Sequence, residues 1–158
     1  MIKFLSIAVM ALFVAPFFTS CDNDEQIPEP QVVILTERGD TISGDTIKVQ
    51  IGSATRTYLE ITYLWTDDNR HHPYSIWRQI DDNETEDLSP KLDDEGFSLS
   101  YHDDLSMSEG RFSSGGYGFQ KISIRTAFSK NFLHVGSIVK IGARTGEVQS
   151  EVYYKVIE

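Results

Sequence analysis

The sequence predicts an all-β domain, a two-layer antiparallel β-sandwich of seven or eight short strands, on three observations. Apolar and polar residues alternate with period two in one segment after another, which is the signature of strands half-buried on one face. No stretch beyond residue 30 sustains helical spacing over three turns, and no fixed-period repeat or low-complexity tract occurs. Turn-forming Gly, Asp, Asn and Ser separate the alternating segments at short intervals. Strands of this kind bury only one face each, so they need a second layer to cover it.

Taken in order, Val32 to Leu35 reads as a short apolar strand. Ile47, Val49 and Ile51 point one way while Thr46, Lys48 and Gln50 point the other. Tyr58 to Thr66 carries Leu59, Ile61, Tyr63 and Trp65 on one face, and weaker strands follow at Tyr74 to Ile80 and Phe97 to Tyr101. Ile122, Ile124, Thr126 and Phe128 alternate with Lys121, Ser123 and Arg125. Ile138 to Ala143, the turn at Thr145 and Gly146, and the strand with Val148, Ser150, Val152, Tyr154 and Val156 on one side form a C-terminal hairpin.

A tryptophan, Trp65, stands near the end of the third strand, and Gly44, Asp45, Thr46, Ile47 opens the second. That spacing resembles the immunoglobulin-like domains of bacterial surface proteins, over most of residues 31–158. A small closed β-barrel is the architectural alternative.

Ahead of the domain, Lys3 is followed by an uncharged run from Phe4 to Phe18 and the small pair Thr19 and Ser20. This is the order of a cleavable signal peptide over residues 1–20; Pro16 and the acidic residues after it argue against an uncleaved anchor. Phe18, Thr19, Ser20 and Cys21 resemble the lipobox of bacterial lipoproteins. The resemblance implies lipidation of Cys21, the single cysteine, and two or three acyl chains would hold the protein stably at a membrane. Asp22, Asn23, Asp24 and Glu25 resemble the acidic export tag of some Gram-negative surface lipoproteins. The expected location is therefore the outer membrane, at the cell surface, with its periplasmic face as the alternative. Residues 21–30, with Pro28 and Pro30, read as a lipidated tether, leaving residues 31–158 as a single domain.

The formal charge is −10, and −11 once Lys3 leaves with the signal peptide. Such a chain repels phosphate backbones, so nucleic acid is not an expected partner. Between Asp67 and Glu109 stand 13 acidic residues against Arg70, Arg78 and Lys91. Asp67, Asp68, His71 and His72, joined by His102 and Asp103 if two loops meet, are metal-ligand types. Neighbouring His71 and His72 would point apart on a strand, and a solvated loop is the plainer reading. Asp81, Asp82, Glu84, Asp93 and Asp94 offer the oxygen ligands calcium takes, without the spacing of an EF-hand. No other cofactor is expected.

Ser113 to Gly118 lacks the lysine and the following helix of a phosphate-binding loop and reads as a turn. No nucleophile elbow is present. Among the aromatics, Tyr74, Trp77 and Tyr117 are the candidates for exposed ligand platforms, while Tyr63, Trp65 and Tyr154 align with the apolar core positions. Asp40, Thr41, Ile42 and Asp45, Thr46, Ile47 also resemble a short acceptor motif for protein O-glycosylation. The leading functional expectation is a non-enzymatic binding or interaction module for a glycan or protein partner. The alternatives are a metal-binding lipoprotein or metal-dependent enzyme at the His71, His72 and His102 region, and a structural subunit whose strand from Glu147 to Ile157 pairs between chains.

Overall fold

The computed structural model describes residues 28–92, 98–100, 102–112 and 116–158. Among them run twelve strands: β1 Gln31–Leu35, β2 Thr41–Ile42, β3 Thr46–Gln50, β4 Ala54–Leu64, β5 Ser75–Ile80, β6 Glu86–Asp87, β7 Lys91–Leu92, β8 Ser98–Ser100, β9 Leu105–Phe112, β10 Tyr117–Ala127, β11 Ile138–Thr145 and β12 Val148–Ile157. One sheet has the order β2-β1-β4-β10-β9 and the other β3-β12-β11-β5-β6, while β7 and β8 pair only with each other. Both five-stranded sheets are open, so the molecule is a β-sandwich and not a barrel. The order β1, β4, β10, β9 against β12, β11, β5 matches the A-B-E-D and G-F-C layers of the immunoglobulin plan. Among the described residues, the sole parallel ladder joins β3 to β12.

The alternation read from the sequence sets which face is buried. Leu59, Ile61 and Tyr63 of β4 and Ile122 and Ile124 of β10 meet Ile76, Val139, Ile141, Val152, Tyr154 and Val156 from the opposite layer, all at most 2% exposed. Across this core Thr57 Oγ1 and the Tyr154 hydroxyl share a hydrogen bond of 2.7 Å. Since unpaired buried hydroxyls are costly, that bond helps to fix the two sheets against each other.

Four details depart from expectation. Leu105–Phe112, unassigned in the sequence, forms the edge strand β9, with a register shift against β10 between Lys121 and Ile122. The strand expected at Phe97 to Tyr101 is described over Ser98–Ser100 and joins neither main sheet. Val148, the first residue of β12 after the turn at Gly146 and Glu147, lies exposed although it shares the parity of the buried Ser150 and Val152. Strand β12, expected to pair between chains, has β11 along one edge and β3 along Tyr153 to Ile157 of the other.

Candidate functional site

Strand β5 alternates in register with the core, so Ile76 turns inward and Trp77 outward. Directly across from Trp77 on β11 stands Gly142, flanked by the inward-facing Ile141 and Ala143. The glycine makes the site, because a Cβ there would lie 2.4 Å from two carbons of the indole and 2.8 Å from its nitrogen. The indole therefore lies over the bare backbone of β11 on the outer surface of the sheet. Glycine at a strand centre is a device for such close approach.

Polar residues surround this ring. Asp87 of β6 is its partner on the other side, and Ser75 and Arg144 form the neighbouring cross-strand pair. Asp87, Ser75 and Arg144 also line a cavity of about 410 Å³, together with Asn69, His72, Ser89 and the turn at Gly146. That volume falls within the range of small-molecule sites. Asp87 Oδ1 accepts hydrogen bonds from the Ser89 amide at 2.9 Å and from its hydroxyl at 2.5 Å. Beyond Gly142, Glu151 accepts from the Tyr153 hydroxyl at 2.8 Å and from Gln149 Nε2 at 3.0 Å. The bond to Glu151 holds the Tyr153 hydroxyl above its ordinary pKa, because it stabilises the protonated phenol. Lys140 Nζ lies 4.0 Å from the same carboxylate and 5.5 Å from the Tyr153 ring centre. The outer face thus offers the flat indole of Trp77, with the Tyr153 ring farther along, in a rim of fixed hydrogen-bonding groups, an arrangement suited to binding.

The three aromatics expected to be exposed do not converge. Tyr74 is buried, 4% exposed, because it shares the inward parity of Ile76 and packs on Tyr63 with ring centres 5.1 Å apart. Tyr117 is half-buried opposite the exposed Leu64, on the outer face of the other sheet. Trp77 alone occupies a platform. Gly142 and Arg144 were passed over in the sequence; the signal for both was the odd-even parity of Ile138 to Ala143, which puts them on Trp77's side.

The metal-ligand types are also dispersed. His71 Nδ1 lies 2.9 Å from the Leu92 carbonyl, fastening the loop to β7. His72 borders the cavity, Asp67 pairs with Arg70, and Asp68 and Asp103 are exposed. His102 meets neither of the other two histidines; its Nε2 lies 3.1 Å from Glu86. Among the described residues no three His, Cys, Asp or Glu side chains are grouped to hold a metal ion. Of the calcium candidates, Asp81 occupies the turn after β5 at φ 49° and accepts from the Ile138 amide at 2.7 Å. Asp82 and Glu84 are exposed in the same hairpin, and Asp93 and Asp94 lie outside the described residues, as does Cys21.

The acidic run contains a structural feature that the sequence hid. Arg78 has the inward parity of Ile76, and its side chain, 14% exposed, reaches Glu86 at 2.8 Å and Asp104 at 2.9 Å. Burial alone would lower its pKa, but the bonds and charges of the two carboxylates outweigh burial and raise it. Asp104 belongs to the turn leading into β9, so the guanidinium clasps the two sheets along one side. Two planar carboxylates around one guanidinium suit its forked geometry.

No protein-family model matches the chain, and no curated protein matches it either.

Proposed function

We propose that this chain is an exported lipoprotein, anchored by acyl chains on Cys21 at the outer membrane and displayed at the cell surface, that works as a non-enzymatic binding module for a glycan. The observation that carries the reading is the indole of Trp77 lying over Gly142 in a rim of polar side chains. Sugar rings present an apolar C–H face and an equatorial rim of hydroxyls. A flat indole bordered by Ser75, Asp87 and Arg144 matches both, whereas the anchors of a protein interface sit in a wider desolvated patch. The tether of residues 21–30 would leave the sandwich clear of the membrane surface.

The test is a glycan array followed by titration of the native lipoprotein in detergent. Glycan binding should weaken at least tenfold, about 1.4 kcal/mol, in Trp77→Ala, with an unchanged melting temperature. An array without hits, or a Trp77→Ala protein that binds as the parent does, refutes the reading. A protein partner is the second reading, favoured by Phe132 at 82% exposed with Val135 at 49% and Ile138 at 41% around the turn between β10 and β11. These three residues stand at the end of the sandwich away from Gln31, where the tether enters.

A further inference from the structure

We infer that the ligand of the Trp77 platform carries a carboxylate, and that Arg144 reads it; the ligand class is an acidic glycan built on hexuronate residues. This inference rests on the glycan reading above and narrows it.

The cavity's hydrogen-bonding groups divide into those already engaged within the chain and those that are not. Asn69 donates to the Leu64 carbonyl at 2.9 Å and accepts from the Thr66 amide at 2.8 Å. Ser89 is held by Asp87 and by the backbone of Ile76. Among the described residues, the side chains of Arg144, His72 and Ser75 have no partner, although all three line the same cavity. Two of these, Arg144 and Ser75, are a cross-strand pair, so they point outward from the same row of the sheet. A guanidinium, an imidazole and a hydroxyl are the free donors of this wall, while the Asp87 carboxylate in the same cavity takes the amide and hydroxyl of Ser89, so the complement of the unpaired groups is an acceptor-rich group.

The other cations near the platform are already answered. Lys140 is matched to Glu151, and Arg78 points away from this face, into its two carboxylates. Arg144 is the exposed cation next to the indole that remains, and its planar fork takes a carboxylate with two parallel hydrogen bonds. The Ser75 and Arg144 pair adjoins the Trp77 and Gly142 pair on the same face, so a sugar stacked on the indole would reach it with one ring edge. A carboxylate at the C5 position of a pyranose projects from that edge, which a neutral hexose fills with a hydroxymethyl group. The chain's overall negative charge acts against this pairing at long range. At physiological ionic strength it is screened beyond about 8 Å, so the contact with Arg144 decides the short-range preference.

The experiment titrates the native lipoprotein in detergent with a panel of galacturonate, glucuronate and mannuronate oligosaccharides, each beside its methyl ester. Esterification keeps the ring and the linkage and removes the charge. At least one free acid should bind about tenfold tighter than its own ester, the scale of one charge-assisted pair. Arg144→Gln should abolish that preference, weakening the free acid about tenfold more than its ester, with the melting temperature unchanged. Equal binding of acid and ester, or an acid preference that survives Arg144→Gln, overturns the inference and leaves the glycan reading standing. Binding of neutral glycans alone has the same meaning. Silence toward every glycan, with Trp77→Ala also without effect, removes both, and capture of a peptide through its terminal carboxylate instead would assign Arg144 to a different ligand class.

Discussion

Individual residues here are decided by what lies opposite them. Arg78 sits at a position that alternation assigns to the core, and it is tolerated there because Glu86 and Asp104 arrive from two different elements. Replacing it with methionine keeps the packing of the stem and leaves two carboxylates facing each other. The partners are more than a third exposed, so water absorbs much of the loss. Arg78→Met should therefore cost about 1–2 kcal/mol, less than the 3–5 kcal/mol of a fully buried pair, as read by urea denaturation; an unchanged midpoint would show that the clasp holds nothing. Tyr74 makes the opposite case. Its hydroxyl is buried without a hydrogen-bond partner among the described residues, and burial pushes its pKa above the ordinary 10.0. Tyr74→Phe removes an unsatisfied polar group and keeps the ring packed against Tyr63, so the protein should gain about 1 kcal/mol. A loss of stability on the same measurement would contradict that account.

At the scale of elements, the molecule uses one device twice with different results. Gly118 of β10 lies across from Tyr63 of β4, and a Cβ there would come within 2.4 Å of the phenol ring, just as a Cβ at Gly142 would reach Trp77. The two rings differ in freedom. Tyr63 is fully buried and has nowhere to go, so Gly118→Ala should destabilise by about 1–3 kcal/mol through overpacking. Trp77 is half-buried on an outer face and can swing outward. Gly142→Ala should leave the thermal midpoint within a few degrees of the parent while glycan affinity falls as it does in Trp77→Ala. If both substitutions unfolded the protein alike, the outer ring would be a packing element and not a platform. Strand β12 matters at this scale as well: with β11 along one side and β3 along Tyr153 to Ile157 of the other, a strand from a second molecule could pair with that half only by displacing β3.

For the whole molecule, the tyrosines set the response to alkali. Burial raises Tyr63, Tyr74 and Tyr154 above their ordinary value, Tyr154 also through the charge of Glu37 and against the hydrogen bond from Thr57. A pKa raised in the folded state means stability that is complete below about pH 10 and is lost as the pH climbs above it, because the unfolded chain releases protons that the folded chain keeps. Each of these tyrosines contributes up to about 1.4 kcal/mol per pH unit in that range. Denaturation midpoints should therefore fall steeply above pH 10, with phenolate absorbance rising together with the loss of circular dichroism, and Tyr74→Phe should flatten the fall. Phenolate appearing well before unfolding would place these hydroxyls in contact with water. The proposed anchoring is likewise tested on the whole molecule. The native protein should lack residues 1–20, carry acyl chains on Cys21 and enter the detergent phase, whereas Cys21→Ser should remain in the aqueous phase; an intact Met1 in the mass spectrum would end that reading.

Alternation alone carried most of the fold. Leu59, Ile61, Tyr63, Ile122, Ile124, Val152, Tyr154 and Val156 are buried as their parity requires, because a pleated strand has only two faces and the apolar one must find cover. The same rule contained the inward turn of Tyr74 and the outward turn of Trp77, which composition by itself did not separate. What the sequence left open was the encounter between elements distant in the chain. Arg78 is answered by Asp104, 26 positions away, His102 goes to Glu86 rather than to His71, and Trp77 finds its bare backbone at Gly142. Local patterning specifies which side of a strand a residue takes, but its partner depends on strand order and register. Those follow from how all the strands close one shared core, and only the tertiary structure displays that result.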